Sequence, residues 1–145
     1  MSRVVKFLRL SLPDKLVRLE ALATLAVVRA ALAVRPFRSV SAYALRISDR
    51  SVGPALRPPS PAELARVVAS VSKYVPGATC LPQALAAQIL LGRRGCPTTV
   101  RIGVAREGMD GLEAHAWLEC EGAVILGGAD AERYTPLSGP GADPA

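Results

Sequence analysis

The sequence predicts an α+β fold, with helices first and a small antiparallel sheet after them. Three observations predict it. Apolar residues recur at spacings of three and four through the first two thirds of the chain. From Thr99 the period drops to two. Glu121-Gly122 then joins two short alternating runs as a hairpin turn. A run of helices followed by a run of strands is the α+β pattern. In 145 residues it leaves room for one domain, or for a small domain behind a helical extension.

Residues 11–35 read as a helix. Ser11 or Asp14 caps it, and Pro13 suits its first turn. Leu12, Leu16, Leu19, Ala23, Ala26 and Ala30 form one apolar face, widened by Leu22, Leu25 and Leu32. Pro36 stops it, and residues 37–47 form a short second helix. The stretch 48–61 is rich in Pro, Gly and Ser. It is the expected boundary between a helical region and linker over 1–59 and a domain over 60–137. Ser60, Pro61 and Glu63 mark the next helix start, and Leu64, Val67, Val68 and Val71 its buried face. That helix ends near Tyr74. Another opens at Cys80 and ends at Gly92 or Gly95, with Arg93 and Arg94 at the negative end of its dipole. Thr99–Val104, Ala114–Cys120 and Ala123–Leu126 read as strands, with a turn over 107–111. Residues 138–145 read as a disordered tail.

Composition narrows the function. Half the residues are apolar and 21% are charged, which is globular. Residues 1–60 carry 11 Lys/Arg against 3 acids, and residues 61–145 carry 7 against 9. A basic first part suits an acidic partner or is a solvated face. The cations form no dense run and no aromatics interleave them, so nucleic acid is not an expected partner. Three Cys at unrelated spacings argue against a disulfide framework. One His and no CxxC pair argue against a zinc site, and no cofactor is expected. The most apolar stretch, Ala21 to Val28, is far short of the roughly 20 residues a membrane span needs. No signal peptide is read in the first residues. A soluble, cytoplasmic protein without membrane insertion is therefore expected.

The chemistry centres on Cys80 and His115. A helix N-terminus offers free N–H groups and a positive dipole end, which stabilise a thiolate. The same groups can donate to an oxyanion. Gln83, in the first turn, is either a further side-chain donor or an ordinary exposed helix residue, and Leu81 and Trp117 flank the pair as substrate contacts. The alternative for Cys80 is a small buried hydrophobe at a helix start. Cys96 and Cys120 fit that alternative better, and Cys120 shares the Leu118 face of its strand. His115 is the only histidine, hence the only side chain whose ordinary titration suits proton transfer near neutrality. Trp117 and Glu119 share its strand face. A Cys at a helix start and a His on a later strand is the papain-like arrangement. Two carboxylates are candidates to orient the imidazole. Glu119 lies four positions on, roughly 13 Å along a strand. Asp130 follows the third strand and is preferred.

These segments resemble a known family. Cys80-Leu81-Pro82-Gln83-Ala84-Leu85-Ala86, Leu90-Leu91-Gly92-Arg93-Arg94-Gly95, Val100-Arg101-Ile102-Gly103-Val104 and Glu113-Ala114-His115-Ala116-Trp117-Leu118-Glu119 are similar to the lasso-peptide maturation peptidase. This is the B protein of lasso-peptide biosynthesis, a transglutaminase-like domain. The resemblance implies a cysteine peptidase that cuts the leader from a ribosomally made precursor, with Cys80 and His115 carried over. It implies the split form, which works with a separate leader-binding (RiPP recognition element) protein and an ATP-dependent lasso cyclase. Family members often place Asp twelve positions after the His, where this chain has Gly127. Either Asp130 takes that role through a shifted loop, or the site works as a dyad.

Overall fold

The computed structural model of the chain describes residues 2–49, 59–107, 109, 111–128 and 134–136. The expected tail, and most of the Pro-rich stretch after Ser48, lie outside the described residues. Among the described residues five helices precede the sheet: α1 Arg3–Leu8, α2 Leu12–Val34, α3 Phe37–Ser48, α4 Pro61–Val71 and α5 Cys80–Arg93. A 3₁₀ turn over Ser72–Tyr74 extends α4. Strands β1 Thr99–Glu107, β2 Gly111–Cys120, β3 Ala123–Leu126 and β4 Thr135–Pro136 follow. They form one sheet in the order β3-β2-β1-β4, and every pairing is antiparallel.

Local chemistry accounts for most boundaries. Ser60 Oγ accepts from the Glu63 N–H at 3.2 Å, and a Glu63 carboxylate oxygen accepts from the Ser60 N–H at 3.3 Å. That capping box fixes the start of α4. Ser11 Oγ caps α2 by accepting from the Asp14 N–H at 3.4 Å, without the reciprocal half of a capping box, and Pro13 stands in its first turn. Arg94 Nη1 donates to the Leu90 carbonyl at 3.0 Å, and Arg94 Nη2 donates to Glu20 of α2 at 2.5 Å. One residue thus satisfies a helix C-terminus and ties α5 to α2.

Most of α5 from Ala84 to Leu91 is buried, and it forms the centre of the molecule. Around it pack Ala21, Leu25 and Val28 of α2, Val40 and Ala44 of α3, and Leu64 and Val68 of α4. Val100, Ala116 and Leu118 meet it from the sheet. The helices on both sides of residues 48–61 therefore share one core.

The face of α2 differs from expectation. Leu12, Leu16, Leu19, Ala23, Ala26 and Ala30 are all exposed, and the buried stripe is Ala21, Leu25 and Val28. The helix is apolar on more than one side, so periodicity alone could not choose the packing face. Ala21 is small enough for close helix approach. The Glu20 ion pairs with Arg93 and Arg94 fix the same rotation. The short β4 and the leading α1 are additions to the expected elements. β1 also runs on to Glu107, where a turn was expected.

Leu118 is fully buried where the sheet meets α5. Leu118→Ala should cost about 2–5 kcal/mol. A lower denaturant midpoint at unchanged slope would show it; no shift would mean the sheet does not pack there.

Candidate active site

Cys80 is the first residue of α5, half-buried against the central core. Thr79 precedes it in extended conformation and makes no side-chain cap bond. The Gln83 N–H donates to the Thr79 carbonyl at 3.3 Å, and Pro82 has no N–H. Among the described residues no side chain caps the N–H groups of Cys80 and Leu81, so an anion can use them. Gln83 Nε2 donates to the Ala78 carbonyl at 2.9 Å, which ties the segment before Cys80 to the helix after it. Leu81 is half-buried and packs against the core.

His115 lies on β2 opposite Gly103 of β1. Alternation sends Ala116 and Leu118 into the helix-facing core. His115, Trp117 and Glu119 take the other face, where Trp117, Ala105 and Tyr134 form a second small cluster. The imidazole stacks on Tyr134 with centroids 4.9 Å apart and on Trp117 at 6.2 Å. Gly103 makes this possible, because a Cβ there would sit 2.8–2.9 Å from Tyr134 and Trp117. Trp117 is anchored in turn. Its Nε1 donates to Glu119 at 3.1 Å, and Glu119 accepts from Arg101 Nε at 3.2 Å. The Glu119 carboxylate thus holds Trp117 and Arg101, not the imidazole.

His115 Nε2 lies 2.7 Å from the Gly127 carbonyl oxygen. A carbonyl only accepts, so Nε2 carries a proton, and in the neutral ring Nδ1 keeps its lone pair. Gly127 has φ +77, and a Cβ there would stand 2.8 Å from the Ala116 carbonyl, so glycine suits the position on both counts. Sequence reading marked Gly127 as the place where a carboxylate is missing. A backbone acceptor leaves no side-chain signature, though the twelve-residue spacing pointed to the right place. Asp130 lies outside the described residues.

The two halves of the site sit on different layers. Among the described residues no hydrogen bond joins Cys80 to His115, and catalytic hydrogen bonds often tighten only once substrate is bound. Cys96 and Cys120, whose sulfurs are 3.4 Å apart, join the segment after α5 to the end of β2. Both α5 and β2 run toward that contact. Going back from it, Cys80 lies about 16 Å along the helix from Leu91. His115 lies about 17 Å along the strand from Cys120. They face different layers: Cys80 packs in the helix-side cluster with Ala116 and Leu118, and the His115 ring lies with Trp117 and Tyr134 on the other face of the sheet.

The family description of the transglutaminase-like superfamily matches residues 16–139. The chain belongs to that superfamily. Its members include cysteine peptidases and acyltransferases, so membership agrees with a helix-start cysteine and a strand histidine. The match begins within α2, ahead of the span 60–137 expected to carry the transglutaminase-like domain. No curated protein and no solved structure matches the chain. Among the described residues no helix is long and apolar enough to cross a membrane.

The other thiols are poor nucleophiles by comparison. Burial, then the hydrogen bond and charge of Cys120, then the charge of Glu121, push the Cys96 thiol up to about 11. Cys120 is buried. At neutral pH an alkylating probe should therefore label Cys80 first, as peptide mapping would show; faster labelling of Cys96 would contradict this environment. The linkage has a sign. Unfolded Cys96 ionises near its ordinary 9.0, while the folded thiol holds its proton to about 11. Cys96 therefore contributes stability that declines as pH rises across that window.

Proposed function

We propose that this transglutaminase-like domain is a cysteine peptidase that removes the leader from a ribosomally made lasso-peptide precursor. The observation that carries the catalytic part is the His115–Gly127 hydrogen bond. It fixes the tautomer that leaves Nδ1 free as a base for a thiol. In this reading Cys80 attacks the carbonyl at the leader–core junction. The N–H groups of Cys80 and Leu81 receive the oxyanion, and the remaining Gln83 amide hydrogen is in the same first turn to assist. This reading requires the imidazole, held on the other face of β2 in the structure, to reach Cys80 when the precursor binds; His115 then passes the thiol proton to the leaving amine, which frees the core peptide. The leader stays on Cys80 as a thioester until His115 activates water. Trp117, buried beside Ala105 and Tyr134, holds the imidazole plane instead of touching the peptide. Gly127 supplies the acceptor at Nε2, so Asp130 is not needed there.

The substrate class rests on the Cys80, His115 and surrounding segments that resemble lasso-peptide B proteins. A separate leader-binding protein would present the precursor, and a cyclase would take the freed N-terminus in the cytoplasm. The test is incubation with a precursor peptide, with and without its leader-binding partner, read by mass spectrometry. Separate leader and core masses are expected, differing from the precursor by one added water. Transfer of the leader to an amine would identify an acyltransferase. An unchanged precursor in both arms would leave a non-catalytic binding module.

A further inference from the structure

The basic character of the first part of the chain has a location. Between α1, α2 and the Ser72–Tyr74 turn lies a cavity of about 780 Å³. Its apolar lining comes from Phe7, Leu10 and Leu22, with Leu19 at its edge 52% exposed. Arg3, Lys6, Arg18 and Lys73 surround it, and among the described residues no Asp or Glu lines it. Arg18 donates to Ser70 Oγ at 3.1 Å, which braces the wall between α2 and α4. Arg3, Lys6 and Lys73 make no ion pair among the described residues. The neighbouring acids are engaged elsewhere: Asp14 accepts from Ser11 Oγ at 2.6 Å, and Glu63 completes the capping box of α4. The apolar surface also continues outward. Val4 on its wall, and Leu8, Leu12 and Leu16 on the same two helices, are all more than half exposed. A large exposed apolar patch rimmed by charge marks a binding surface.

Charge selects the occupant. Four cations with no lining acid oppose a basic segment and favour carboxylates, while the apolar floor needs aliphatic side chains to fill it. The site is a cavity between elements, which accepts protruding side chains better than it accepts a lipid surface. We propose that this groove docks an acidic, amphipathic segment of a protein partner. The site is separate from Cys80 and does not rest on the peptidase reading.

Fluorescence anisotropy with the full chain tests this, using a labelled amphipathic Glu/Leu peptide and its Lys/Leu counterpart. The Glu/Leu peptide should bind saturably and weaken as salt rises. Arg3→Glu with Lys73→Glu should weaken it about tenfold or more, and Leu19→Asp should weaken it as well. These positions are at the surface, and circular dichroism should show the fold retained. Cys80→Ala should bind like the wild type, which separates this result from the fate of the catalytic proposal. Absent binding, equal binding of the Lys/Leu peptide, or indifference to charge reversal would overturn the proposal. Pelleting with phosphatidylserine vesicles that the Glu/Leu peptide does not relieve would assign the surface to membranes instead.

Discussion

Cys80→Ala should abolish leader removal, with a fall of at least about 10⁴-fold in turnover. The substitution removes the atom that forms the thioester, and no other described group can replace it. Cys96 holds its proton to about 11, and Cys120 is buried against it. Both lie at the far end of α5 and β2. Stability should change little, because the half-buried Cys80 packs at the edge of the core and alanine is a good helix former. The pairing of lost turnover with an unchanged melting transition separates a nucleophile from a structural cysteine. Residual turnover near the wild-type level would remove Cys80 from the mechanism.

His115→Ala should lower turnover by about 10²–10⁴-fold. The base would be gone while the thiol and the N–H groups stay. The account also predicts the state of the ring before substrate arrives. Because His115 is the only histidine, its ¹⁵N resonances can be assigned without ambiguity. Once the imidazole is neutral, the proton should be on Nε2, donated to Gly127. Gly127→Ala should disturb this state. A side chain at φ +77 that presses on the Ala116 carbonyl must shift the segment that carries the acceptor. Turnover should then fall more than substrate affinity, with a mixed tautomer spectrum. A proton resident on Nδ1 in the wild type would contradict the assignment. Asp130→Ala should cost less than tenfold, since the acceptor at Nε2 is already a backbone carbonyl; a loss equal to that of His115→Ala would return the orienting role to Asp130.

The elements that could be read in the sequence are those fixed by local chemistry. Ser60 and Glu63 sit three residues apart, and they close the same capping box in space. The alternation of His115, Trp117 and Glu119 against Ala116 and Leu118 placed two sets of residues on two faces, and the clusters separate that way. What could not be read depends on contacts between distant segments. The buried side of α2 is chosen by Ala21, Leu25 and Val28 against other helices, while its Leu-rich stripe is left to solvent. Tyr134 joins His115 through a two-residue strand too short to show a period. Cys96 and Cys120 meet across 24 residues of sequence. The site was partly legible for the same reason. The place of Cys80 at a helix start is a local property, and so is the face of His115. The partner of Nε2 is a backbone oxygen, and any residue type has one.

The most direct test of the central claim is the acyl-enzyme itself. Wild-type protein incubated with a precursor peptide and its leader-binding partner, then quenched in acid, should show an intact mass raised by the leader minus one water. Peptide mapping should place that adduct on Cys80, hydroxylamine should remove it, and Cys80→Ala should never form it. Leader release by the Cys80→Ala protein, or an adduct mapped to Cys96 or Cys120, would contradict the account.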